Sequence, residues 1–475
     1  MRKTRFFYVH HFLLAILLGC MVLINSAIES RREQKEEYLK LAKQETETKE
    51  REMQEAEGTE IRKAEETGIQ EAEKREIQET DAEKTAGQEE GEPADSGEEE
   101  DGAAGKEADG EKKEEPMIRV LLMDTGYTSY FHPSVSLVYD GQEMTYGPDC
   151  METGAEPVKI TPKKGGVQVV SIQRQSGNPV YEGSLEISRR KEGFLLVNEL
   201  PLETYLEAVV PSEMPSGYEK EALKAQAVCA RTYAWKQMQE EKLKEYGADV
   251  DDSVNYQVYQ NIEPQETTTR AVEETKGKIL CQNGKPVEAY YFSTSAGVTS
   301  TNVIWGADEP ASYLKSVSCS FDAQEPWSWW QVEIPWENLK QRAADCLGKE
   351  GELFSVDVTR KEESGAVTGL KVAAEAGSFL LEEEYAIREF LAPRGCVITE
   401  KDGTAAEGGT LLPSSYFEME TVPGPSVILT GGGYGHGVGM SQNGANQMAA
   451  QGYTCEEILD YFFNNVEIRT IPLAG

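Results

Sequence analysis

Histidine is scarce in this sequence, with 4 residues in a chain of 475. Two of them, His10 and His11, lie in an apolar stretch near the N-terminus, where a position at the membrane interface is more ordinary than metal binding. A Ser/His/Asp or Cys/His triad would therefore have to use His132 or His436. The candidates for histidine-assisted nucleophilic catalysis are thus confined to two side chains.

Cysteine also lacks the spacing that metal sites and disulfide scaffolds use. Of the 8 cysteines, all but Cys20 lie at or beyond Cys150, and no two form a CxxC pair. This spacing supports neither a zinc finger nor a small disulfide-stabilised domain. We expect these thiols to be buried as small apolar groups.

Positive charge is in short supply. The chain has 47 Lys and Arg against 84 Asp and Glu, a formal net charge of −37, of which −23 belongs to the residues from Met117 onward. A surface this acidic repels a phosphate backbone. We therefore expect no nucleic-acid partner.

The N-terminus carries a long apolar run, Phe6 to Ile28, preceded by Arg2, Lys3 and Arg5. The run is long enough for a helix to cross a hydrocarbon layer of roughly 30 Å, with its basic end in the cytoplasm. We expect residues 1–28 to form a transmembrane helix, a single-pass anchor in the cell membrane. The main domain would then lie on the extracytoplasmic, cell-wall side.

Two cleavage alternatives exist for this segment. A signal peptide shares the basic start and the apolar stretch, and Ile24-Asn25-Ser26 before Ala27 is a tolerable cleavage site. The stretch from Leu17 to Cys20 resembles a lipoprotein cleavage box, although the apolar run continues beyond it. All three interpretations place the rest of the chain outside the cytoplasmic membrane.

Residues 29–116 form an acidic spacer with 32 acidic and 15 basic side chains and almost no aromatic residues. Such a segment cannot bury enough apolar area to offset the entropy lost on ordering. Met53, Ile61, Ile69 and Ile77 recur every eight residues, which exceeds two helical turns by roughly 80°. These side chains would spiral around a helix instead of forming a coiled-coil seam. We expect an extended tether, partly helical and otherwise disordered.

Residues 117–470 are the expected folded domain. Short β-branched segments between Gly, Pro and Asp predict strands in MIRVLLMD, VSLVYDG, GVQVVSIQ, NPVYEGSLEIS and GFLLVNEL. Further strands and loops are predicted over VNYQVYQN, KGKILCQNGKPVEAYYFSTSAG, VEIPW, VTGLKVAA and PSVILT, and a short helix in CEEILDYFF. This mixture without regular alternation predicts an α+β fold. Residues near 340–410 are a candidate strand-rich insert or second lobe beside a groove.

Two helices are predicted in the middle of this domain. The segment ELPLETYLEAVV has apolar residues at i, i+3, i+4 and i+7, which predicts an amphipathic helix that ends at Pro211. The capping-box pattern Ser216-Gly217-Tyr218-Glu219 predicts a second helix that runs to about Lys244. Because its many alanines allow close approach, we expect this long helix to be central.

The connection between the two helices holds one carboxylate between two prolines. Pro211 and Pro215 restrict the backbone, so Glu213 is expected to be held stiffly. Its apolar neighbours would raise its pKa by desolvation, whereas the positive end of the following helix would lower it. Taken alone, a solvent-facing loop glutamate is the ordinary interpretation.

Two long motifs change that expectation. The stretch LPLETYLEAVVPSEMPSGYEKEALKAQAVCARTYAW resembles the signature of the stage II sporulation protein D family (SpoIID/LytB), and GYGHGVGMSQNGA resembles that family's C-terminal signature. The segments SVNYQVYQ and AYYFSTSAGVTS lie between them in the family's order. The resemblance covers roughly Met117 to Val466.

The resemblance implies that Glu213, the glutamate of the family's EMP motif, is a catalytic acid and base. Active family members are lytic transglycosylases, which cut the MurNAc–GlcNAc bond of peptidoglycan and leave a 1,6-anhydro end. One carboxyl suffices, because it protonates the glycosidic oxygen and then takes the proton of the sugar's 6-hydroxyl. Glu203 and Glu207 are nearby but are expected on a solvated face. If either flanked the substrate, two-carboxylate hydrolysis would become possible.

The alternative is a noncatalytic module. Relatives described as amidase enhancers share the fold and modify another wall enzyme, so the resemblance implies glycan strands of peptidoglycan as a partner and a cell-wall amidase as a further candidate. A structural protein whose glycines serve only turns is a third hypothesis. The acidic spacer is not expected in the compact sporulation enzyme, which leaves open whether the role is engulfment or another wall-remodelling step.

No cofactor or metal is expected. The glycine run Gly431 to Gly444 has no register that gives GxGxxG, and no GKS or GKT follows it. Some family members carry zinc in a stretch like HSTCGGHT. Here Phe292 to Thr299 supply no histidine or cysteine at that place.

The matching segments also supply candidate substrate-binding residues. His436 is expected as a hydrogen-bond donor beside Glu213, with a structural loop histidine as a close alternative, while Ser441 and Gln442 would reach sugar hydroxyls or acetamido groups. Arg231 is better suited to tying helix to loop. For Trp327, Trp329 and Trp330, packing in the core or at a lobe interface is favoured over stacking on sugars. The candidates are Lys224, Gln226, Arg231, Tyr233, Gln257, Tyr259, Ser293, Ser295, His436, Gly437, Ser441 and Gln442.

Overall fold

The computed structural model of the protein describes residues 115–260, 262–421 and 426–471. All of them belong to one unit of the chain that begins at Glu107. The predicted membrane anchor and all but the last two residues of the predicted spacer lie outside the described residues. Within the described part, no helix combines the length and the apolarity needed to cross a bilayer.

The N-terminal strands form two sheets that share one apolar core. Their bounds are β1 (Met117–Leu121), β2 (Val135–Tyr139), β3 (Gln142–Tyr146), β4 (Val158–Ile160), β5 (Val167–Val169), β6 (Val180–Tyr181), β7 (Ser184–Arg189), β8 (Phe194–Pro201) and β9 (Val250–Asp251). One sheet has the order β4-β7-β8-β1-β9 and the other β3-β2-β5-β6. Apolar side chains of both sheets pack together with the helix that follows β8. The five strand segments predicted here are confirmed.

Two helices follow β8, α1 (Leu202–Glu213) and α2 (Lys220–Glu240). The predicted end of α1 at Pro211 is wrong, because the helix continues through the proline for two residues, to Glu213. The predicted cap at Ser216 is also wrong: Glu219 is the N-cap and makes no side-chain capping bond. α2 ends four residues before Lys244, since Glu241 adopts a left-handed conformation with φ 52°.

The central position predicted for α2 is confirmed. Its five alanines, which leave a thin helix surface, are all buried. α1 packs on α2. Two elements that come after α2 in the chain also pack on it, namely α3 (Glu266–Glu274) and β10 (Lys278–Gln282). The short strands β11 (Lys285–Pro286) and β12 (Tyr291–Phe292) come next. The segment VNYQVYQN, predicted within a series of strands and loops, is a loop over residues 254–260.

A strand-rich lobe follows, larger than the insert predicted near 340–410. Its elements are β13 (Trp330–Pro335), α4 (Trp336–Leu347), β14 (Leu353–Lys361), β15 (Val367–Ala374), β16 (Gly377–Leu381), α5 (Glu384–Phe390), β17 (Val397–Glu400), β18 (Ala405–Glu407), β19 (Phe417–Thr421) and β20 (Ser426–Gly431). They form sheets of order β18-β17-β13-β20-β19 and β14-β15-β16. The lobe has an apolar core of its own around Trp330, Leu370 and Leu429. The α+β class is confirmed.

The chain then returns to the helical body. The last elements are β21 (Met440–Ser441), α6 (Gln442–Ala450), α7 (Cys455–Phe462) and β22 (Glu467–Thr470). β21 pairs parallel to β12, and β22 pairs with β10. Four thiols, Cys229, Cys281, Cys319 and Cys455, are buried as predicted. The prediction is wrong for Cys150 and Cys346, which are exposed, and for Cys396, which is only partly buried.

A buried ion pair fastens α1 to α2. The guanidinium of Arg231 on α2 is fully buried and contacts Glu203 of α1 through two bonds, Nη2 to Oε2 at 2.6 Å and Nε to Oε1 at 2.8 Å. The backbone carbonyls of Val272 and Lys278 accept its other donors. The expectation that Glu203 lies on a solvated face is wrong, because α3 and β10 cover that side of the helix pair.

This geometry predicts an asymmetric response to substitution at the pair. Arg231→Met leaves Glu203 without its partner, and we expect it to lower the free energy of unfolding by about 3–5 kcal/mol. The double variant with Glu203→Gln should recover much of this loss, because no uncompensated charge is left. Urea denaturation measures both values.

Arg270→Met is the matched control, because Arg270 makes an exposed pair with Glu274 at 2.9 Å. We expect no measurable change from it. A loss at Arg231 as small as that of the control would contradict the structural role assigned to the buried pair.

Candidate functional site

A cavity of about 690 Å³ is lined by residues from both the helical body and the strand-rich lobe. The body contributes Glu213, Tyr291 and His436, and the lobe contributes Tyr385 and Arg388. The groove predicted beside a second lobe corresponds to this cavity.

Glu213 reaches the cavity because the residue after it is anchored. Met214 leaves α1 in an extended conformation and is buried against Leu223, Ala271 and Tyr218. The amide of Gln442 donates from Nε2 to the backbone carbonyl of Glu213 at 3.0 Å. Glu213 therefore ends α1 with its backbone held from both sides, and its side chain lines the cavity.

The carboxyl of Glu213 is half-buried and accepts hydrogen bonds from two donors. The backbone N–H of Val258 donates to Oε1 at 2.7 Å, and the hydroxyl of Tyr291 is the second partner. Burial raises the pKa of Glu213 to about 7, although both hydrogen bonds act to lower it. Desolvation thus outweighs the polar contacts.

The helix effect expected at Glu213 is corrected by the structure. The sequence suggested that the positive end of the following helix would lower the pKa of this carboxyl. Glu213 instead lies at the C-terminal end of α1, and α2 begins only at Lys220. The negative end of a helix disfavours a carboxylate, so the dipole of α1 acts in the same direction as burial.

His436 lines the same cavity and is neutral. Burial and the charge of Arg388 lower its pKa to about 3. Its Nδ1 accepts from the backbone N–H of Val438 at 3.1 Å, and a hydrogen bond with the backbone of Tyr291 acts against the lowering of its pKa. These backbone contacts fit the alternative of a structural loop histidine.

The structure brings five of the predicted site residues together on the cavity wall. They are Glu213, Tyr233, Ser293, His436 and Gln442. The side-chain nitrogen of Gln442, expected to reach a sugar, donates to the backbone of Glu213. This residue therefore supports the candidate acid.

Gln257 and Tyr259 lie behind the cavity wall and are almost fully buried. The hydroxyl of Tyr259 donates to Asn198 at 3.0 Å, and Gln257 bonds Tyr205, Ala230 and Tyr291. Neither side chain is among the residues that line the cavity.

Ser295, Ser441 and Gly437 are also removed from the cavity wall. The buried carboxylate of Asp322 accepts from the hydroxyl of Ser295 at 2.7 Å and from that of Ser441 at 2.6 Å. Ser441 in addition caps α6. Gly437 adopts φ +83°, and a Cβ there would lie 2.7 Å from the ring of Tyr416. All three stabilise the fold of the glycine run instead of offering groups to a ligand.

The remaining candidates lie on α2, away from the cavity wall. Lys224 pairs with Glu221 at 2.9 Å. Gln226 is fully buried, and its Oε1 accepts from Gln442 at 3.4 Å. Arg231 has the role of tying structural elements together that the sequence favoured, although its carboxylate partner lies on a helix and not on a loop. None of these three residues lines the cavity.

Several cavity residues escaped the sequence analysis. The lobe contributes Glu384, Tyr385, Arg388 and Glu407. Glu384 and Arg388 form an i,i+4 pair at 2.6 Å, a spacing that in a sequence looks like any exposed helix pair. No local pattern could have placed them near Glu213, because the contact depends on how the lobe folds back.

Aromatic rings form much of the remaining wall. Trp327 lies against Tyr434 with ring centroids 4.8 Å apart, and Trp305 contacts the ring of His436 at 5.1 Å. Core packing, favoured for the tryptophans, is confirmed for Trp330, which is fully buried. Trp327 packs against the apolar core of the lobe and also lines the cavity. The expectation is wrong for Trp329, which is 38% exposed.

The cavity can perform acid–base chemistry with one carboxyl. Glu203 and Glu207 are not among its lining residues, and Glu384 is engaged with Arg388. Among the described residues, no group of three or more His, Cys, Asp or Glu is arranged to hold a metal ion. Glu213 is thus the lining carboxyl whose pKa is raised to about 7.

Comparison with known proteins gives a consistent pattern. Residues 190–281 match the family model SpoIID, described as stage II sporulation protein. The chain is 33% identical over 287 residues to stage II sporulation protein D of Bacillus subtilis (strain 168), covering 57% of this chain and 75% of that protein. It is 32% identical over 287 residues to the protein of the same name from Bacillus amyloliquefaciens, with the same coverage.

A third relative bears a different name. The chain is 28% identical over 285 residues to the amidase enhancer of Bacillus subtilis (strain 168), covering 54% of this chain and 39% of that protein.

The raised pKa of Glu213 predicts a pH-dependent stability. Folded Glu213 keeps its proton up to about pH 7, whereas an ordinary carboxyl ionises near 4.5. The stability from the bound proton is therefore fully present below pH 4.5 and is lost as the pH rises to about 7. Glu213→Gln removes this titration. Between pH 4.5 and pH 8 we therefore expect the free energy of unfolding of the variant to rise relative to that of the wild type by on the order of 2–3 kcal/mol.

Urea unfolding of both proteins at several pH values checks this gain. Glu407→Gln, which changes an exposed carboxyl on the same wall, should follow the wild type at every pH. If the free energies of unfolding of the wild type and of Glu213→Gln changed with pH in parallel, the raised pKa of Glu213 would be contradicted.

Proposed function

Since the chain belongs to the stage II sporulation protein D family, we propose that it cleaves the glycan strands of cell-wall peptidoglycan as a lytic transglycosylase. In this proposal Glu213 is the general acid and base. The observation that carries the proposal is the carboxyl of Glu213, which lies on the cavity wall and has its pKa raised to about 7 by burial. At neutral pH such a group exists in both protonation states, and each state is needed once per reaction.

One carboxyl accounts for both proton transfers of the proposed reaction. Protonated Glu213 donates to the glycosidic oxygen as the bond from that oxygen to C1 of MurNAc breaks. The 6-hydroxyl oxygen of the same MurNAc attacks C1, and the Glu213 carboxylate takes the hydroxyl proton. The products are a 1,6-anhydro-MurNAc end and a GlcNAc end with a free 4-hydroxyl. Glu213 is again protonated, and no water is consumed.

The cavity walls suit a carbohydrate chain. Tyr434 is 44% exposed beside Trp327, and Tyr385 on the opposite lobe is 53% exposed. Sugar rings present apolar faces that pack on aromatic rings, while their hydroxyls need polar partners. The guanidinium of Arg388 is committed to Glu384 and to the carbonyls of Leu412 and Pro413. Stacking and neutral hydrogen bonds would therefore hold the strand.

The proposed location follows from the substrate. The predicted membrane helix within residues 1–28 would anchor the chain in the cell membrane, and the acidic spacer would extend the domain toward the wall. The family name supports a role in sporulation, in engulfment or in another wall-remodelling step.

A noncatalytic amidase enhancer is the second candidate function. The similarity to the amidase enhancer of Bacillus subtilis favours it. In that case the cavity would bind glycan strands without cleaving them, and a cell-wall amidase would be the partner.

Substitution of the candidate acid separates these functions. We expect Glu213→Gln to lower the rate of anhydro-end formation by about 10²- to 10⁴-fold, because the amide can neither donate nor accept the transferred proton. Intact and peptide-stripped glycan strands are incubated with each protein, and the anhydro products are quantified by mass spectrometry. Glu337→Gln is the matched control, because Glu337 is an exposed carboxyl on α4 that does not line the cavity, and it should retain activity within a few-fold.

Equal glycan binding with no cleavage by wild type and variant would support the amidase enhancer instead. Strand scission that survives Glu213→Gln unchanged would contradict the role of Glu213 in the proposed mechanism.

A further inference from the structure

Asp322 is a fully buried carboxylate in the segment between β12 and β13. Its Oδ2 accepts from the backbone N–H of Ser295 at 2.7 Å and from the hydroxyl of Ser441 at 2.6 Å. Its Oδ1 accepts from the hydroxyl of Ser295 at 2.7 Å and from the thiol of Cys319 at 3.6 Å. Both oxygens are therefore occupied by donors from three separate parts of the chain.

The hydroxyl of Ser441 joins this carboxylate to the start of α6. Its oxygen accepts the N–H of Gly444 at 3.1 Å, which caps the helix. Its hydrogen can reach two acceptors, Asp322 at 2.6 Å and the carbonyl of Ser293 at 3.4 Å. The shorter distance assigns the hydrogen to Asp322. Ser441 thus accepts from the helix and donates to the carboxylate.

The donors around Asp322 are all neutral. Among the described residues, no lysine, arginine or histidine pairs with it. A buried charge without a cation is tolerated only where its oxygens are hydrogen-bonded, and the positive N-terminal end of α6 adds a favourable field. The carboxylate and the first turn of α6 therefore stabilise each other.

The same end of α6 holds the segment that carries the candidate acid. Gln442, the first residue of the helix, donates from Nε2 to the backbone carbonyl of Glu213 at 3.0 Å. One turn later, Oδ1 of Asn446 accepts the backbone N–H of Glu219 at 2.8 Å. These two contacts fix both ends of the loop over residues 213–219.

Apolar packing holds the rest of α6. Ala445 and Met448 are fully buried in the core that the helix shares with α2. Such packing has no preferred direction, so the exact position of the first turn depends on directional bonds. Asp322 supplies these bonds through Ser441.

We propose that Asp322 is a positioning residue for Glu213: it fixes the first turn of α6, and Gln442 of that turn holds the backbone of the acid. The consequence for catalysis rests on the proposed function, because it requires that Glu213 transfers the proton. The contacts themselves do not depend on that function.

The expected effect on catalysis is on proton transfer more than on binding. A displacement of about 1 Å at a catalytic group can lower a rate by about 10²-fold. The exposed ring of Tyr385, a candidate surface for sugar stacking, belongs to the lobe and lies outside this series of contacts. Loss of Asp322 should therefore lower kcat and leave KM nearly unchanged.

Amide hydrogen exchange of the full chain in detergent tests the hold on the acid segment without relying on activity. The reporters are the N–H groups of Gly444 and Glu219, which α6 binds. We expect Asp322→Ala to raise both exchange rates about tenfold, the effect of losing one hydrogen bond to a charged group. Asp322→Asn should restore rates close to those of the wild type, because its amide oxygen can still accept from Ser295 and Ser441.

Asp251→Ala is the matched control. Asp251 on β9 is also fully buried, and it accepts from the hydroxyl of Tyr130 at 2.8 Å and from the N–H and hydroxyl of Ser253. Its loss should leave exchange at the two reporters unchanged. Wild-type exchange at Glu219 in Asp322→Ala, or equal acceleration in Asp251→Ala, overturns the proposal.

Ser441→Ala covers the case in which Asp322→Ala does not fold. It removes a single hydroxyl, the one that joins Asp322 to α6. Because it also removes the cap on Gly444, exchange is then read at Glu219 alone, where we expect the same acceleration. An unchanged rate at Glu219 in Ser441→Ala counts against the proposal in the same way.

Kinetics of glycan cleavage give the functional consequence. We expect Asp322→Ala to lower kcat by about 10- to 100-fold, with KM within about twofold of the wild type. Gln442→Met should lower kcat similarly while leaving exchange at Gly444 unchanged, because the cap remains. The double variant should lose no more than the larger single loss, since both residues act through one contact. Multiplied losses, or a loss carried by KM alone, would contradict this route.

The two readouts also separate the proposal from the proposed function. Faster exchange at Glu219 in a protein that cleaves nothing would retain the hold of Asp322 on the acid segment and remove the proposed function. Cleavage that depends on Glu213, with unchanged exchange and kcat in Asp322→Ala, would do the reverse.

Discussion

The structure depends on one balance at the carboxyl of Glu213, between burial that favours the proton and two hydrogen bonds that favour its loss. Such a balance requires a rigid surrounding, because a small movement toward water would restore an ordinary acid. The buried pair of Arg231 and Glu203 fixes α1 on α2. Met214, the residue after the acid, is anchored by its buried side chain, and Gln442 donates to the backbone carbonyl of Glu213.

The glycine run serves this rigidity by allowing backbones to approach closely. At Gly439, with φ +82°, a Cβ would lie 2.1 Å from the carbonyl oxygen of Tyr290, so any other residue would force β12 and β21 apart. The carboxylate of Asp322 gathers hydroxyls from Ser295 and Ser441 and so joins the two sides of this contact. The run is therefore a structural support for the acid, and its histidine is part of that support.

The sequence predicted local structure well and side-chain environments less well. Strand segments such as GFLLVNEL and the central alanine-rich helix follow from periodicity, which is a local property. The continuation of α1 through Pro211 and the burial of Glu203 depend on neighbours distant in sequence. The same holds for the lobe residues Tyr385 and Arg388 on the cavity wall. Glu213 itself was found through the motif around it, while the outcome of competing effects on its pKa required the three-dimensional surroundings.

A crystal structure of the Glu213→Gln variant with a bound tetrasaccharide of alternating GlcNAc and MurNAc tests the central claim most directly. The account predicts that a glycosidic oxygen between MurNAc and GlcNAc lies within hydrogen-bond distance of the substituted side chain, about 3 Å. The MurNAc 6-hydroxyl should face the same side chain. A saccharide bound elsewhere, or one whose glycosidic oxygens all lie beyond reach of residue 213, would contradict it.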